Sequence, residues 1–150
     1  MKSLILLSAL AMALITPVRA ETLAVPLQTT LDKYIVIQTA LAADSLDGVA
    51  GAAKDIAATA KASDGVVPEV VASQAGILAK AANIKAAREA FKPLSASLIA
   101  ALPAQKSISG RYYEAFCPMA NASWIQTGKQ IANPYFGASM SGCGESRKAL

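Results

Sequence analysis

The 150-residue chain contains no histidine. This absence excludes catalytic triads with a histidine base, zinc and copper(II) sites built from imidazole groups, and histidine-ligated haem. The charge imbalance is also small, because fourteen lysine and arginine residues face ten aspartate and glutamate residues. A formal net charge of +4, without a basic stripe interleaved with aromatic residues, argues against a nucleic-acid-binding protein.

The residue patterns of common enzymes are missing as well. The two cysteines, Cys117 and Cys143, lie far apart in sequence and do not form the Cys-x-x-Cys pair of thiol oxidoreductases. No serine stands in the Gly-x-Ser-x-Gly pattern of a nucleophile elbow, and the acidic residues do not cluster. We therefore expect that the protein is not an enzyme.

Long apolar runs are confined to the first twenty residues. Residues 4–15 are largely apolar, Lys2 precedes them, and Val18 and Ala20 provide small residues at positions −3 and −1 of a cleavage site. This arrangement is typical of a cleavable signal peptide (residues 1–20), and its apolar segment is too short to span a membrane. We expect export to the periplasm, after which residues 21–150 form a single domain without a membrane span.

Alanine-rich segments with apolar residues at i, i+3, i+4 and i+7 spacing occupy residues 27–103. This spacing predicts a bundle of about four amphipathic helices. Residue types that favour helix starts divide the region into its helices. The expected starts are Thr29 or Thr30, Asp44 (for a helix over residues 45–62), Pro68 and Asn83, and Pro93 is expected to kink the fourth helix.

The buried faces of these helices follow from the same spacing. We expect them to include Ile77 and Leu78 in the third helix and Phe91 and Leu98 in the fourth. Arg88 lies outside the fourth-helix stripe and is a candidate for pairing with an acidic residue. Because the stripes are largely alanine, each helix buries little apolar surface. The larger apolar residues of the C-terminal segment are therefore the expected cover of the bundle.

The C-terminal lobe, residues 105–145, contains both cysteines and the single tryptophan, Trp124. The alternating pattern of residues 112–116 predicts one short strand. Dipeptides such as Asn-Pro, Ser-Gly and Cys-Gly predict turns after it. We therefore predict a mainly α protein, in which an alanine-rich bundle of about four helices carries a loop-rich lobe with the two cysteines.

Four sulfur atoms in this lobe form two pairs. Cys117 and Met119 lie two residues apart around a proline, and Met140 lies three residues before Cys143. If the intervening segment reverses direction, the pairs meet and offer two thiolates and two thioethers. Soft sulfur ligands favour copper(I) or silver(I), and zinc is less suited without further ligands. Trp124, Tyr135 and Phe136 would then shield the ion from water.

A plain structural interpretation is also open. Cys117 and Cys143 are 26 positions apart, and a pair of cysteines in an oxidising compartment commonly forms a disulfide. Closing a loop of that size stabilises a fold by roughly 3.5 kcal/mol on chain-entropy grounds. Methionines beside aromatic residues often fill gaps in a core, and the aromatic residues would be that core. The spacing alone leaves the disulfide and the metal site as alternatives.

Residues 113–145 contain "YEAFCPMANASW", "IANPYFGASM" and "CGE", and residues 86–102 read "AAREAFKPLSASLIAAL". These segments resemble a domain family of unknown function. That family is found at the C-terminus of periplasmic adaptor (membrane-fusion) subunits of copper/silver efflux pumps, and as free exported proteins. The resemblance implies a heavy-metal context and a periplasmic metal-efflux component as partner. We expect residues 21–150 to contain neither the hairpin nor the barrel parts of such an adaptor.

The sequence thus supports two expectations of different classes. The first is a periplasmic binding or delivery protein for copper(I) or silver(I), related to heavy-metal efflux. Its metal ligands would be Cys117, Met119, Met140 and Cys143. The second is a structural or interaction domain with a Cys117–Cys143 disulfide and no metal. The sequence fixes no oligomeric state.

Overall fold

The computed structural model describes residues 23–102 and 110–150. Four helices come first, and three strands follow, with a 3-10 turn between the second and third strands. The helices are α1 (Val25–Ala42), α2 (Val49–Lys61), α3 (Glu69–Leu78) and α4 (Ile84–Ala101). The strands are β1 (Tyr112–Cys117), β2 (Ala122–Thr127) and β3 (Glu145–Ala149), and the turn is Gly137–Met140. The signal peptide expected at residues 1–20 lies outside the described residues.

The prediction of four helices is confirmed, although two of the starts were misplaced. Helix α1 begins before Thr29, with Pro26 in its first turn, where a missing N–H costs no hydrogen bond. Helix α2 begins at Val49 behind Gly48, so the prediction that Asp44 caps it was wrong. Asp44 has φ of +56° and belongs to the loop after α1. Across the described residues, no helix has the length and apolar character needed to cross a membrane.

The starts of α3 and α4 follow the prediction. Pro68 occupies the N-cap position of α3. The Asn83 side-chain oxygen caps α4, because it accepts a hydrogen bond of 2.9 Å from the Ala86 N–H. Pro93 lies inside α4, which continues past it. In α3 the predicted burial of Leu78 is confirmed, but the predicted burial of Ile77 was wrong, because its side chain is 65% exposed.

The C-terminal region is a three-stranded antiparallel sheet in the order β2-β1-β3. The prediction of a loop-rich lobe with one strand was therefore wrong for two of the three strands. Strand β2 buries three consecutive residues, which hides the alternation that identifies a strand. All residues of β3 are exposed, so only its backbone pairing with β1 makes it a strand. The protein is thus a four-helix domain with an added small sheet.

Strand β2 is an edge strand whose free side faces the helices. The Ile125 N–H, which points away from β1, donates to the Tyr34 hydroxyl at 3.1 Å. The hydroxyl in turn lies 2.7 Å from the Ser95 Oγ of α4. Either of these two hydroxyl groups can be the donor, because a hydroxyl both donates and accepts. This contact satisfies an edge-strand N–H inside the core and fixes the sheet on α1 and α4.

Aromatic side chains make one core from the bundle and the sheet. The Tyr34 and Phe91 rings stack with their centroids 4.8 Å apart. Tyr135 contacts Phe91 at 6.2 Å and Trp124 edge-on at 5.8 Å, so the series runs from α1 to β2. The expectation that large C-terminal residues cover the alanine-rich helices is borne out at these positions.

Two apolar truncations test how the core is divided between buried and exposed positions. Leu98 is fully buried in α4, so Leu98→Ala should lower the free energy of unfolding by about 2–5 kcal/mol. Ile77→Ala removes an apolar side chain of the same size from an exposed position, and should change the free energy of unfolding by less than about 0.5 kcal/mol. Urea unfolding of both variants measures the difference. Equal losses would show that the described core is wrong.

Candidate functional site

The sheet brings the two cysteines together. Cys117 is the last residue of β1 and is fully buried, whereas Cys143 is partly exposed in the loop before β3. Pairing of Phe116 with Glu145 places the end of β1 beside the start of β3. The two sulfur atoms lie 3.1 Å apart and are not bonded to each other. The chain reversal expected from the turn signals is therefore present for the thiols.

The two methionines occupy different surroundings. Met119 lies in the turn between β1 and β2, and it is 67% exposed. Met140 ends the 3-10 turn and is half-buried. The Cys143 N–H donates to the Met140 carbonyl at 3.0 Å, so these two residues share one turn. Each methionine thus adjoins a cysteine along the chain, but only Met140 is held in the loop that carries its cysteine.

The two thiols differ in acidity. Burial of Cys117 acts to raise its pKa. Hydrogen bonds to its sulfur lower the pKa by more, and they come from the Cys143 thiol, the Ala120 backbone N–H, the Asn133 side-chain amide and the Met119 backbone N–H. The net pKa of Cys117 is lowered, so this sulfur is the one that carries a thiolate first. The pKa of Cys143 is raised, chiefly because its thiol donates to Cys117. A deprotonated sulfur and its hydrogen-bonded partner are a pair suited to bind a soft cation or to oxidise.

Asn133 holds the loop that carries Cys143. Its side-chain NH₂ donates to the Cys143 carbonyl at 2.6 Å, and its own N–H donates to the Ser141 carbonyl at 2.9 Å. Its side-chain oxygen accepts from the N–H groups of Tyr135 and Phe136 at 2.8 and 3.3 Å. Asn133 is fully buried, so these bonds replace its contacts with water. The Asn-Pro dipeptide indicated a turn in the sequence, but not this positioning role.

Arg88 and Asp44 fasten the same loop to the helices. Arg88 donates to the carbonyls of Pro134 and Leu41 at 2.8 and 2.9 Å, and to the Asp44 carboxylate at 2.6 Å. The second carboxylate oxygen of Asp44 accepts from the Ala138 N–H at 2.8 Å. The candidate pairing of Arg88 with an acid is thereby confirmed. Its partner is 44 positions away, which no local pattern could identify.

Two glycines permit the close approach of these segments. Gly137 has φ of +57°, and a Cβ there would collide with the Asp44 carboxylate and the Arg88 guanidinium. Gly144 has φ of +143°, and a Cβ there would lie 2.8 Å from the Trp124 ring. Both positions therefore require glycine for conformation and for space. Gly144 in particular lets the aromatic core pack directly behind Cys143.

The aromatic residues expected to shield the site are mainly part of the core. Trp124 is fully buried, and its ring N–H donates to Gln126 at 2.9 Å. Tyr135 is almost fully buried and donates to the Ser123 carbonyl at 2.6 Å. Burial is the main reason that the pKa of Tyr135 is raised, so it remains a neutral donor. Phe136 is half-buried.

The carboxylates of the described residues do not join the thiol pair to form a larger metal-binding cluster. Within residues 23–102 and 110–150, no three thiol, carboxylate or imidazole groups gather closely enough to hold a metal ion. Any ion bound here would therefore depend on the two thiolates and on thioether sulfur. This donor set fits monovalent soft cations better than zinc.

The fold and the site together define a small four-helix domain with an added sheet and one pair of adjacent thiols. Residues 30–110 match the model of a family described as protein of unknown function, DUF3347. This match spans more than half of the chain, so the chain belongs to the DUF3347 family. It covers most of the four helices and ends before β1, so it does not include the thiol pair. No curated protein and no solved structure matches the chain.

The Asp44 contacts predict an acid-dependent loss of stability. The pKa of Asp44 lies below its usual 3.8, first because Arg88 donates to it and then because Ala138 does. A folded-state pKa below the unfolded value stabilises the fold above about pH 4, and this contribution is lost as the pH falls through the folded-state pKa. Asp44→Asn should therefore unfold at a lower urea concentration than the parent at pH 7, and this gap should close on acidification.

Asp64→Asn is the matched control. Asp64 also has a positive φ, of +48°, and it is exposed. Its substitution should leave the urea midpoint nearly unchanged at every pH. A gap between Asp44→Asn and the parent that stays constant from pH 7 to about pH 2.5 would contradict the ion-pair account.

Proposed function

We propose that the chain is a periplasmic soft-metal-binding protein, which holds copper(I) or silver(I) between Cys117 and Cys143 and serves heavy-metal efflux. The observation that carries this proposal is the 3.1 Å separation of two thiol sulfurs in a chain without histidine. Thiolates are the protein ligands that favour these ions most strongly. The lowered pKa of Cys117 supports binding, because a metal ligand must be deprotonated.

A bound ion requires only a small movement of the thiols. A metal–thiolate distance of about 2.3 Å separates two bridged sulfurs by roughly 3.7–4.6 Å, depending on the angle at the metal. The sulfurs must therefore part by about 1 Å from the observed 3.1 Å. Rotation of the Cys143 side chain supplies this movement, because Cys143 is partly exposed between two glycines. Cys117 remains fixed at the end of β1.

The thioethers have separate roles in this proposal. Met140 shares a turn with Cys143 and is the third ligand. Met119 is 67% exposed beyond Cys117, so it is the first sulfur that an incoming ion or a partner protein meets. Methionine side chains have three rotatable bonds and adapt to such contacts. Met119 would accept the ion at the surface and pass it to the thiol pair.

The wider context supports the same function. The signal-peptide pattern of residues 1–20 supports export. The resemblance of residues 113–145 to domains fused to adaptor subunits of copper/silver efflux pumps supports a metal-efflux component as the partner. An exported sulfur site of this kind would bind ions for transfer to the pump.

A structural disulfide is the second candidate, and the same separation favours it. A disulfide bond is about 2.05 Å long, so the sulfurs would have to approach by about 1 Å. The bond would join the end of β1 to the loop before β3, which backbone pairing already holds together. Its main effect would be on the unfolded chain, whose 26-residue loop it closes.

Copper(I) titration of the reduced mature chain separates the two candidates. We expect one ion per chain in competition with a chromogenic chelator. Met140→Leu should weaken binding by about tenfold and Met119→Leu by less, while Cys117→Ser and Cys143→Ser should weaken it by more than about 100-fold. Leucine keeps the volume of methionine, so both methionine variants should melt like the parent.

The disulfide candidate predicts a different order of effects. Either cysteine substitution would lower the stability of the air-oxidised protein by about 2–5 kcal/mol, and the methionine substitutions would change neither binding nor stability. Methionine variants identical to the parent, together with a reduced protein that loses copper to the weakest chelator, would overturn the metal proposal.

A further inference from the structure

We propose that Cys117 and Cys143 form a directional thiol–disulfide exchange site. In its oxidised form, an external thiol attacks the Cys143 sulfur, and the Cys117 sulfur is the leaving group. This inference requires only the thiol pair, and it stands whether or not the pair binds a metal. The co-reactant is a small thiol or the dithiol of a reductase.

Exposure decides which sulfur is attacked. Cys117 is the last residue of β1 and is fully buried, so an external thiol cannot reach it. Cys143 is partly exposed, and Gly142 before it is exposed and has no side chain to block approach. The Trp124 ring packs behind Gly144 and closes the inner side. Attack therefore comes from solvent and at Cys143.

The leaving group follows from the point of attack. A thiol that attacks the Cys143 sulfur breaks its bond to Cys117, so the electron pair leaves with the buried Cys117 sulfur at the end of β1. The backbone of Cys117 is paired with Ala122 of β2, so the released sulfur stays in place beside Cys143.

The exchange balances with two external thiols. A thiolate RS⁻ forms a bond to the Cys143 sulfur, the Cys117–Cys143 bond breaks, and its electron pair leaves with Cys117. A second RS⁻ then attacks the external sulfur of the mixed disulfide and releases Cys143 as a thiolate. The products are RSSR and two protein thiolates, which take up the two protons that the external thiols release. The protein gains two electrons, and the external thiols lose them.

Exchange at this position would also govern metal capture. The oxidised pair has no thiolate to offer, whereas the reduced pair has two. A reductant in the periplasm would therefore make the two thiolates available to copper(I) or silver(I). This consequence, unlike the exchange itself, rests on the proposed function.

Glutathione mapping on the wild-type chain tests the direction of attack. The mature protein is oxidised with diamide, treated briefly with reduced glutathione, blocked with N-ethylmaleimide and digested with trypsin. Cleavage after Lys129 separates the two cysteines, because Cys117 lies in residues 112–129 and Cys143 in residues 130–147. We expect glutathione on Cys143 in about tenfold or greater excess over Cys117.

Three results of this experiment would overturn the proposal. Equal labelling of the two cysteines, or labelling mainly at Cys117, would contradict the direction. Failure of diamide to join the cysteines would contradict the pair itself. A disulfide that glutathione leaves intact for hours, while a phosphine reduces it, would show a closed structural bond instead of an exchange site.

Single-cysteine variants provide a matched test by a second method. In Cys117→Ser the thiol of Cys143 should react with Ellman's reagent about tenfold or more faster than the thiol of Cys117 reacts in Cys143→Ser. The same reaction in 8 M urea gives the rate of each thiol in the unfolded chain. Circular dichroism shows whether each variant is folded, and where one is not, glutathione mapping of the wild type decides. A folded Cys143→Ser variant that reacts as fast as Cys117→Ser would contradict the proposal.

Discussion

The hydrogen bonds of one arginine hold the helices and the C-terminal loop in a single arrangement. Arg88 of α4 donates to the end of α1 at Leu41, to the Asp44 carboxylate and to the Pro134 carbonyl. Its side chain is only 15% exposed, so removing it would leave these acceptors without a charged donor. Asn133, the neighbour of Pro134, holds the Cys143 carbonyl. The position of one site cysteine therefore depends on a contact between two helices.

The sequence predicted what local spacing controls. Four helices, the Asn83 cap and the burial of Leu98 all follow from residues within a few turns of one another. Asp44 illustrates the limit of such reasoning, because an acid before an apolar stripe is also a good cap. Its true partners, Arg88 and Ala138, are 44 and 94 positions away. Strand β3 was not predictable for the same reason, since only its pairing with β1 defines it.

The meeting of the two cysteines was predictable from the sequence, and the geometry around them was less so. Two cysteines in an otherwise quiet chain marked the candidate site, and the turn signals between them indicated that the chain returns. The spacing could not show that Met119 projects from a hairpin while Met140 stays beside Cys143. Nor could it show the role of Asn133, whose partners exist only once the loop has closed. The four sulfurs are thus two thiols in contact and two methionines with distinct exposures.

The central claim is that Cys117 and Cys143 are the ligands of one soft metal ion. X-ray absorption at the copper edge tests it directly, on reduced mature protein loaded with one equivalent of copper(I). The account predicts a first shell made only of sulfur, which changes when Cys143 is replaced by serine. A first shell of nitrogen or oxygen, or a sulfur shell that is the same in the Cys143→Ser variant, would contradict it.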